Sequence, residues 1–132
     1  IGVDSTHNVS GAKEGDLDPA YGMFWSWNTG YIFMKMEGIV QDSIEFRYHI
    51  GGFQWTANNI KIVEASVPTA SPIVVNGSES TAHFMVDFAE FFTNPVDFDV
   101  VATPDVAMPN ANSLIISDNY KDMFMIDHVH NE

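Results

Sequence analysis

The clearest secondary-structure pattern in the chain is the run Ser43-Ile44-Glu45-Phe46-Arg47-Tyr48-His49-Ile50. Every second side chain from Ile44 to Ile50 is apolar or aromatic, and the residues between them are polar. Successive side chains of a strand point to opposite faces of its sheet. The run therefore predicts a strand with one face in the core and the other toward solvent, which is typical of antiparallel sheets.

Further elements follow from the same kind of pattern. Strands are predicted at Tyr31–Glu37, Ile60–Ala65 and Thr81–Asp87, and turns at Gly38 and at Gly51-Gly52. A helix is expected within Asn110–Phe124, although its apolar residues are poorly periodic. Together these elements predict a mainly β fold, an antiparallel β-sandwich with long loops and one or two short helices.

Composition limits the classes of function. The chain has 132 residues, 18 Asp and Glu against 5 Lys and Arg, and a net charge of -13. This charge disfavours nucleic-acid binding and anionic membrane surfaces, but it suits a cationic partner such as a metal ion. The absence of Cys excludes disulfides, thiolate metal sites and Cys nucleophiles, and it suits an oxidising compartment. No hydrolase motif or nucleotide-binding motif is present, so we do not expect an enzyme.

The first part of the chain, to about residue 28, is rich in turn-forming residues and predicts a long irregular loop. Its oxygen-bearing side chains could bind a hard cation such as Ca²⁺; the candidates are Asp4, Asn8, Asp16 and Asp18. Their spacing is not that of an EF-hand. The alternative is that these side chains make Asx-turns and caps with nearby backbone N–H groups.

A His-x-His pair, His128 and His130, is the sharpest local signal of a metal site. On a strand both imidazoles point to one face and can reach one ion, and imidazole suits copper, zinc and nickel. The alternative is a fortuitous pair in a frayed C-terminal tail. His49 and His83, taken singly, are expected to be surface residues rather than ligands.

Aromatic and sulfur-bearing residues give weaker signals. Trp25 and Trp27 indicate either core packing or an electron-rich site open to oxidation. The thioether sulfur of methionine favours Cu(I), but methionine is also a common core residue. The methionines in question are Met34, Met36, Met85, Met123 and Met125.

Several motifs, in order along the chain, resemble the MbnP-like family, which is named for a periplasmic protein encoded beside methanobactin genes. The motifs are Gly2-Val3-Asp4-Ser5, Asn8-Val9-Ser10-Gly11, Gly15-Asp16-Leu17-Asp18-Pro19, Gly22-Met23-Phe24-Trp25-Ser26-Trp27-Asn28-Thr29-Gly30-Tyr31, Lys35-Met36-Glu37-Gly38, Tyr48-His49-Ile50-Gly51-Gly52 and Asp118-Asn119-Tyr120. The resemblance covers nearly the whole chain, so residues 1–132 are expected to form a single MbnP-like domain. Since the family has a long portion before these motifs, the N-terminal portion of the same protein is expected to be needed to complete the fold.

The resemblance implies a bacterial copper-binding protein that is periplasmic, outer-membrane-anchored as a lipoprotein, or secreted. Related copper proteins hold copper with histidines and kynurenine, an oxidised tryptophan that a MauG-type di-haem partner produces. Those proteins carry the tryptophan in a Trp-x-His pair, whereas Trp25 here is followed at the second position by Trp27. The ligands implied for this chain are Trp25 or Trp27 and the pair His128 and His130. We nominate His49 as a third histidine, because its strand follows the tryptophan segment closely in the sequence.

The leading hypothesis is therefore copper capture or handover outside the cytoplasm, without catalysis. The alternative is a surface or adhesive β-sandwich module in which Ca²⁺ orders the acidic opening loop.

Overall fold

The computed structural model describes residues 1–8, 14–25, 30–54, 56–67, 77 and 79–131. This part of the chain is mainly β, as predicted, with two short helices. The strands are β1 (Phe24–Trp25), β2 (Gly30–Val40), β3 (Ile44–Gly51), β4 (Ser80–Val86), β5 (Asp105–Val106) and β6 (Phe124–Asn131), and the helices are α1 (Glu90–Thr93) and α2 (Ala111–Asp122). Single turns of 3-10 helix lie at Gly15–Leu17 and Pro19–Tyr21. Among the described helices, none has the length and apolar character that a membrane span requires.

The larger sheet has the order β1-β2-β3-β5. Its first three strands are antiparallel, but β5 runs parallel to β3 through the pairs Arg47 with Asp105 and Tyr48 with Val106. The sheet is therefore mixed rather than antiparallel; the mainly β character and the short helices of the prediction are confirmed, and the β-sandwich is not. Helix α2 packs against β3, so a helix covers this part of the sheet where the prediction placed a second sheet.

The core confirms the alternation from which β3 was predicted. Tyr48 and Ile50 are fully buried, and the polar residues Glu45 and Arg47 between the apolar positions are exposed. The other members of the core come from α1, β5, α2 and the residue after it; they are Phe91, Val106, Ile116, Tyr120 and Met123. Because apolar burial is the main favourable term in folding, this sheet–helix contact fixes the body of the molecule.

Two sequence predictions are wrong, a turn and a strand. Gly38 is not a turn but an interior residue of β2, opposite Phe46. A Cβ atom at Gly38 would lie 2.7 Å from the Phe46 ring, so the missing side chain makes room for that ring. The chain instead reverses after Val40, where Gln41 and Asp42 both have positive φ.

The strand predicted at Ile60–Ala65 is also wrong, since this segment has no regular secondary structure. Its start is held by Asn59, whose buried side-chain amide donates a 2.5 Å hydrogen bond to the Gly51 carbonyl. Lys61 then exchanges two backbone hydrogen bonds with Ile1. Isolated bonds of this kind satisfy the backbone without a longer ladder.

The smaller sheet pairs β4 with β6 in antiparallel fashion. The strand predicted at Thr81–Asp87 is confirmed as β4, and the helix expected within Asn110–Phe124 is confirmed as α2. The register changes next to His83, because His83 lies opposite His128 while Phe84 lies opposite Ile126. Asp127 is thus the extra residue of a β-bulge, a feature that re-aims side chains locally.

Candidate metal centre

Strands β4 and β6 bring three histidines together. His83 lies directly opposite His128, and Thr81 lies opposite His130. Directly opposed residues of an antiparallel pair share a face, and so do residues two apart on one strand. The imidazoles of His83, His128 and His130 therefore lie on one face of the smaller sheet.

The three imidazoles lie close to one another. Nε2 of His128 lies 3.0 Å from Nε2 of His130, and the ring centroids of His83 and His128 are 4.3 Å apart. One nitrogen of each ring lies within 4.8 Å of those of the other two. Metal–nitrogen bonds of about 2.0–2.1 Å place two ligand nitrogens roughly 3.3–3.6 Å apart. The His83 and His128 rings are stacked at an interplanar angle of 10°, so binding of a shared ion requires the exposed side chains of His83 and His130 to reorient.

Asp127 orients the central imidazole. Its Oδ2 lies 2.7 Å from Nδ1 of His128. A carboxylate only accepts hydrogen bonds, so Nδ1 carries the proton, and Nε2 of neutral His128 presents its lone pair toward His130. The same carboxylate–histidine arrangement fixes the tautomer of many metal-bound histidines. The bulge that places Asp127 beside His128 is therefore part of the site.

Sequence reasoning missed His83 as a partner of the His-x-His pair. The alternation in Thr81–Asp87 places His83 on the polar face of its strand, but a strand pattern does not name the neighbouring strand. Only the pairing of β4 with β6 shows that His83 and His128 are opposite each other.

The structure does not bring His49 into this group. His49 lies on β3 in the larger sheet, where its Nε2 is 2.7 Å from Oε1 of Glu37. This hydrogen bond is the main cause of a lowered pKa for the Glu37 carboxyl. In the described part of the chain, the one group of three His, Asp or Glu side chains close enough for a single ion is the histidine group. His49 as a copper ligand stays a prediction.

Trp25 lies in β1 and is 5% exposed. Its ring packs over Gly51, where a Cβ atom would lie 2.9 Å from Cζ3 of the indole. For Trp25 this agrees with the first of the two interpretations given for the tryptophan pair, core packing, rather than with an exposed site open to oxidation. Trp27 lies outside the described residues.

The carboxylates proposed for calcium are hydrogen-bonded locally instead. Oδ1 of Asp4 accepts from the backbone of Thr6 at 2.8 Å, and Oδ2 lies 2.9 Å from Nδ1 of His7. Side-chain hydrogen bonds from Thr6 and then His7 hold the pKa of Asp4 well below its usual range. Asp18 caps the turn Pro19–Tyr21.

Asn8 is fully buried and is committed to the backbone. Its Oδ1 accepts from the Tyr31 N–H at 2.7 Å, and its Nδ2 donates to the Val3 carbonyl at 3.2 Å. Asp16 is exposed and, within the described residues, does not form a three-residue group with Asp4 and Asp18. These contacts are the turns and caps of the alternative interpretation, and calcium binding stays a prediction.

Comparison with known proteins identifies the family. The MbnP family model matches residues 1–112, and the chain therefore belongs to this family. No curated protein and no solved structure gives a match. The matched residues include β1 to β5 and His83, and they end in the first turn of α2. His128 and His130 follow the matched residues.

Proposed function

We propose that this member of the MbnP family binds copper outside the cytoplasm and captures it or hands it over, with no catalysis of its own. The site is the histidine group His83, His128 and His130. The observation that carries the proposal is the convergence of these three imidazoles through the pairing of β4 with β6. Membership in MbnP is consistent with a copper-related role.

The donor set favours copper among the common divalent metals. An all-imidazole site without thiolate suits copper, zinc or nickel, and Cu²⁺ is bound most tightly of these three by a given site. Two of the three histidines are exposed, so the ion keeps an open side for water or a partner's ligand. An open coordination position suits exchange better than a closed structural site does.

The electrostatic setting also supports a cation. Neither β4 nor β6 contains Lys or Arg, and Asp127 adds a carboxylate beside His128. The net charge of -13 surrounds the site with a negative field. Such a field raises the local concentration of cations.

The test is copper retention after dialysis. Protein loaded with Cu²⁺ is expected to retain about one ion per chain by elemental analysis, and His83→Ala, His128→Ala and His130→Ala should each weaken retention. His7→Ala is the matched control, because His7 is an exposed histidine in the opening segment and is distant in sequence from the three proposed ligands. Retention unchanged in all three single variants would contradict the proposal.

A second control separates two ligand sets. His49→Ala removes the histidine that is predicted from its position in the sequence as the third ligand. If His49→Ala loses copper while His83→Ala retains it, His49 replaces His83 in the site.

Oxidation of a tryptophan by a MauG-type di-haem partner is a separable part of the proposal, supported by the family resemblance. Kynurenine has one more oxygen and one fewer carbon than tryptophan. Peptide mass analysis of protein from its native host should show this change in the peptide that contains Trp25 and Trp27. An unmodified peptide would remove the oxidised ligand but leave the histidine site intact.

A further inference from the structure

We propose that Met85 and Met125 form a Cu(I)-binding subsite beside the histidine group, an inference that rests on the proposed copper function. It assigns to the exposed face of the smaller sheet a second kind of ligand. This face would then have a histidine group that binds Cu²⁺ and, beside it, a methionine pair that binds Cu(I).

The register of the strands places the two methionines opposite each other. Met85 is the direct partner of Met125 on the neighbouring strand. Strand β4 continues without an extra residue from His83 to Met85, so these two side chains share a face. Since Met125 faces Met85 and His128 faces His83, the methionine pair and the histidines lie on one face despite the bulge at Asp127.

The opposite face of β6 is the one that meets the body of the protein. Phe124 packs against the core cluster, and its neighbour Met125 therefore points away from it. Met85 and Met125 are 48% and 40% exposed, respectively. By contrast, Met123 is fully buried, and Met34 and Met36 pack against the core. Of these five methionines, three belong to the core or pack against it and two form a surface pair, which core packing does not explain.

The chemistry of the pair selects the reduced ion. Thioether sulfur is a soft ligand that prefers Cu(I), while imidazole binds both oxidation states. Residues two apart on a strand are about 6.6–6.8 Å apart, which puts the methionine pair next to the His83–His128 pair. Two flexible thioethers and one of these imidazoles supply three ligands for Cu(I).

The experiment compares Cu(I) and Cu²⁺ binding in the full chain. Anaerobic Cu(I) affinity is measured by competition with a chromophoric Cu(I) chelator, and Cu²⁺ affinity by competition with a Cu²⁺ chelator. The double variant Met85→Leu with Met125→Leu keeps the side-chain volume, so its folding should be little changed. Met108→Leu is the matched control, because Met108 is 56% exposed and lies outside the smaller sheet.

We expect the Cu(I) affinity of the double variant to fall roughly tenfold or more. Loss of an outer partner of a metal ligand already lowers metal affinity by about 10–100-fold, and loss of the ligands themselves should cost at least as much. Its Cu²⁺ affinity and the Cu(I) affinity of Met108→Leu should stay at the wild-type level. X-ray absorption of the Cu(I)-loaded wild type should show sulfur next to copper.

The outcomes separate this inference from the proposed function. If the double variant keeps wild-type Cu(I) affinity, the methionine subsite is overturned, and the histidine site stands on its own Cu²⁺ result. If the wild type binds Cu(I) through methionine but does not retain Cu²⁺, the subsite stands and the histidine proposal fails. If the wild type binds neither ion, both are overturned.

Discussion

Among the glycines whose surroundings the structure describes, Gly51 has the least space for a side chain. A Cβ atom at this position would lie 2.3 Å from the Tyr31 carbonyl oxygen and 2.9 Å from Cζ3 of Trp25. Backbone cannot move away as a side chain can, and overpacking a core commonly costs about 1–3 kcal/mol. We expect Gly51→Ala to lower the free energy of unfolding by at least that amount, as measured by urea denaturation.

Gly38→Ala is the comparison for this prediction. The added Cβ would meet only the ring of Phe46, a half-buried side chain that packs against the core, and would meet no backbone atom. The loss of stability should therefore be smaller than at Gly51. Equal losses at the two positions would contradict the role assigned to the backbone contact.

Asp127 bears directly on the proposed metal site. Its hydrogen bond to His128 fixes the imidazole without contact to an ion. Removing such an outer partner typically lowers metal affinity by about 10–100-fold. We expect this loss for Asp127→Ala in a Cu²⁺ competition titration, with little change in stability, because Asp127 is exposed.

Asp122→Ala is the control for the loss of one negative charge, since Asp122 is an exposed residue at the end of α2. A similar loss of affinity in both variants would assign the effect to the general field of the protein rather than to the orientation of His128.

At the scale of elements, helix α2 depends on its first turn. Asn110 and Ser113 form a reciprocal capping box, with the Ser113 N–H donating to Oδ1 of Asn110 at 3.0 Å and the Asn110 N–H donating to Oγ of Ser113 at 2.8 Å. Loss of such a cap costs about 0.5–2 kcal/mol. Asn110→Ala should lower the unfolding free energy within this range.

Asn112→Ala is the matched control, because it removes the same side chain from an interior position of the same turn. Alanine has the higher helix propensity, so this variant should be neutral or slightly stabilising. A loss in Asn112→Ala as large as that in Asn110→Ala would contradict the capping argument.

The elements also show how far the sequence predicts this fold. Local patterns are sufficient for β3 and β4, because alternation is a property of neighbouring residues, whereas α2 is expected only within a broad segment. Strand pairing is not local: nothing in the sequence of β5 indicates that it lies parallel to β3. The weak periodicity of α2 has a physical reason, since Ser113, Ser117 and Asn119 on its buried side are polar and hydrogen-bonded.

The same limit explains the candidate site. The His-x-His pair is visible because its members are two residues apart, whereas His83 joins it only through the β4–β6 pairing. Two of the motif residues that carry the family resemblance, Asn119 and Tyr120, have structural roles. The buried side chain of Asn119 bonds the backbone of Phe91 and Val96, and Tyr120 donates to the carbonyl of Asn59.

At the scale of the whole molecule, the acidic side chains outnumber the basic side chains that could pair with them. Lys35, Arg47 and Lys61 each pair with a carboxylate, yet the chain has 18 acidic residues and 5 basic ones. Exposed ion pairs contribute little to stability, about 0–1 kcal/mol each. Stability therefore depends mainly on the buried contact between the larger sheet and α2, which contains two tyrosines, Tyr48 and Tyr120.

These tyrosines make the molecule sensitive to high pH. Burial, followed by the charge of Asp99, raises the pKa of Tyr48 from its usual 10 to about 12, and burial also raises the pKa of Tyr120. Folding thus favours the neutral phenol. The Tyr48 contribution, on the order of 2–3 kcal/mol at 1.36 kcal/mol per pKa unit, is complete below about pH 10 and is lost as the pH rises from 10 to 12.

We expect the unfolding free energy, measured by urea denaturation at a series of pH values, to fall steeply above pH 10. In Tyr48→Phe the fall should be shallower, because one of the buried phenols that must ionise is gone. The variant should also be less stable near neutral pH, since it lacks the 2.8 Å hydrogen bond from the Tyr48 hydroxyl to the Thr103 carbonyl. Tyr21→Phe is the control, because Tyr21 is 70% exposed. An equally steep fall in Tyr48→Phe and the wild type would show that ionisation of Tyr48 does not set the alkaline limit of this fold.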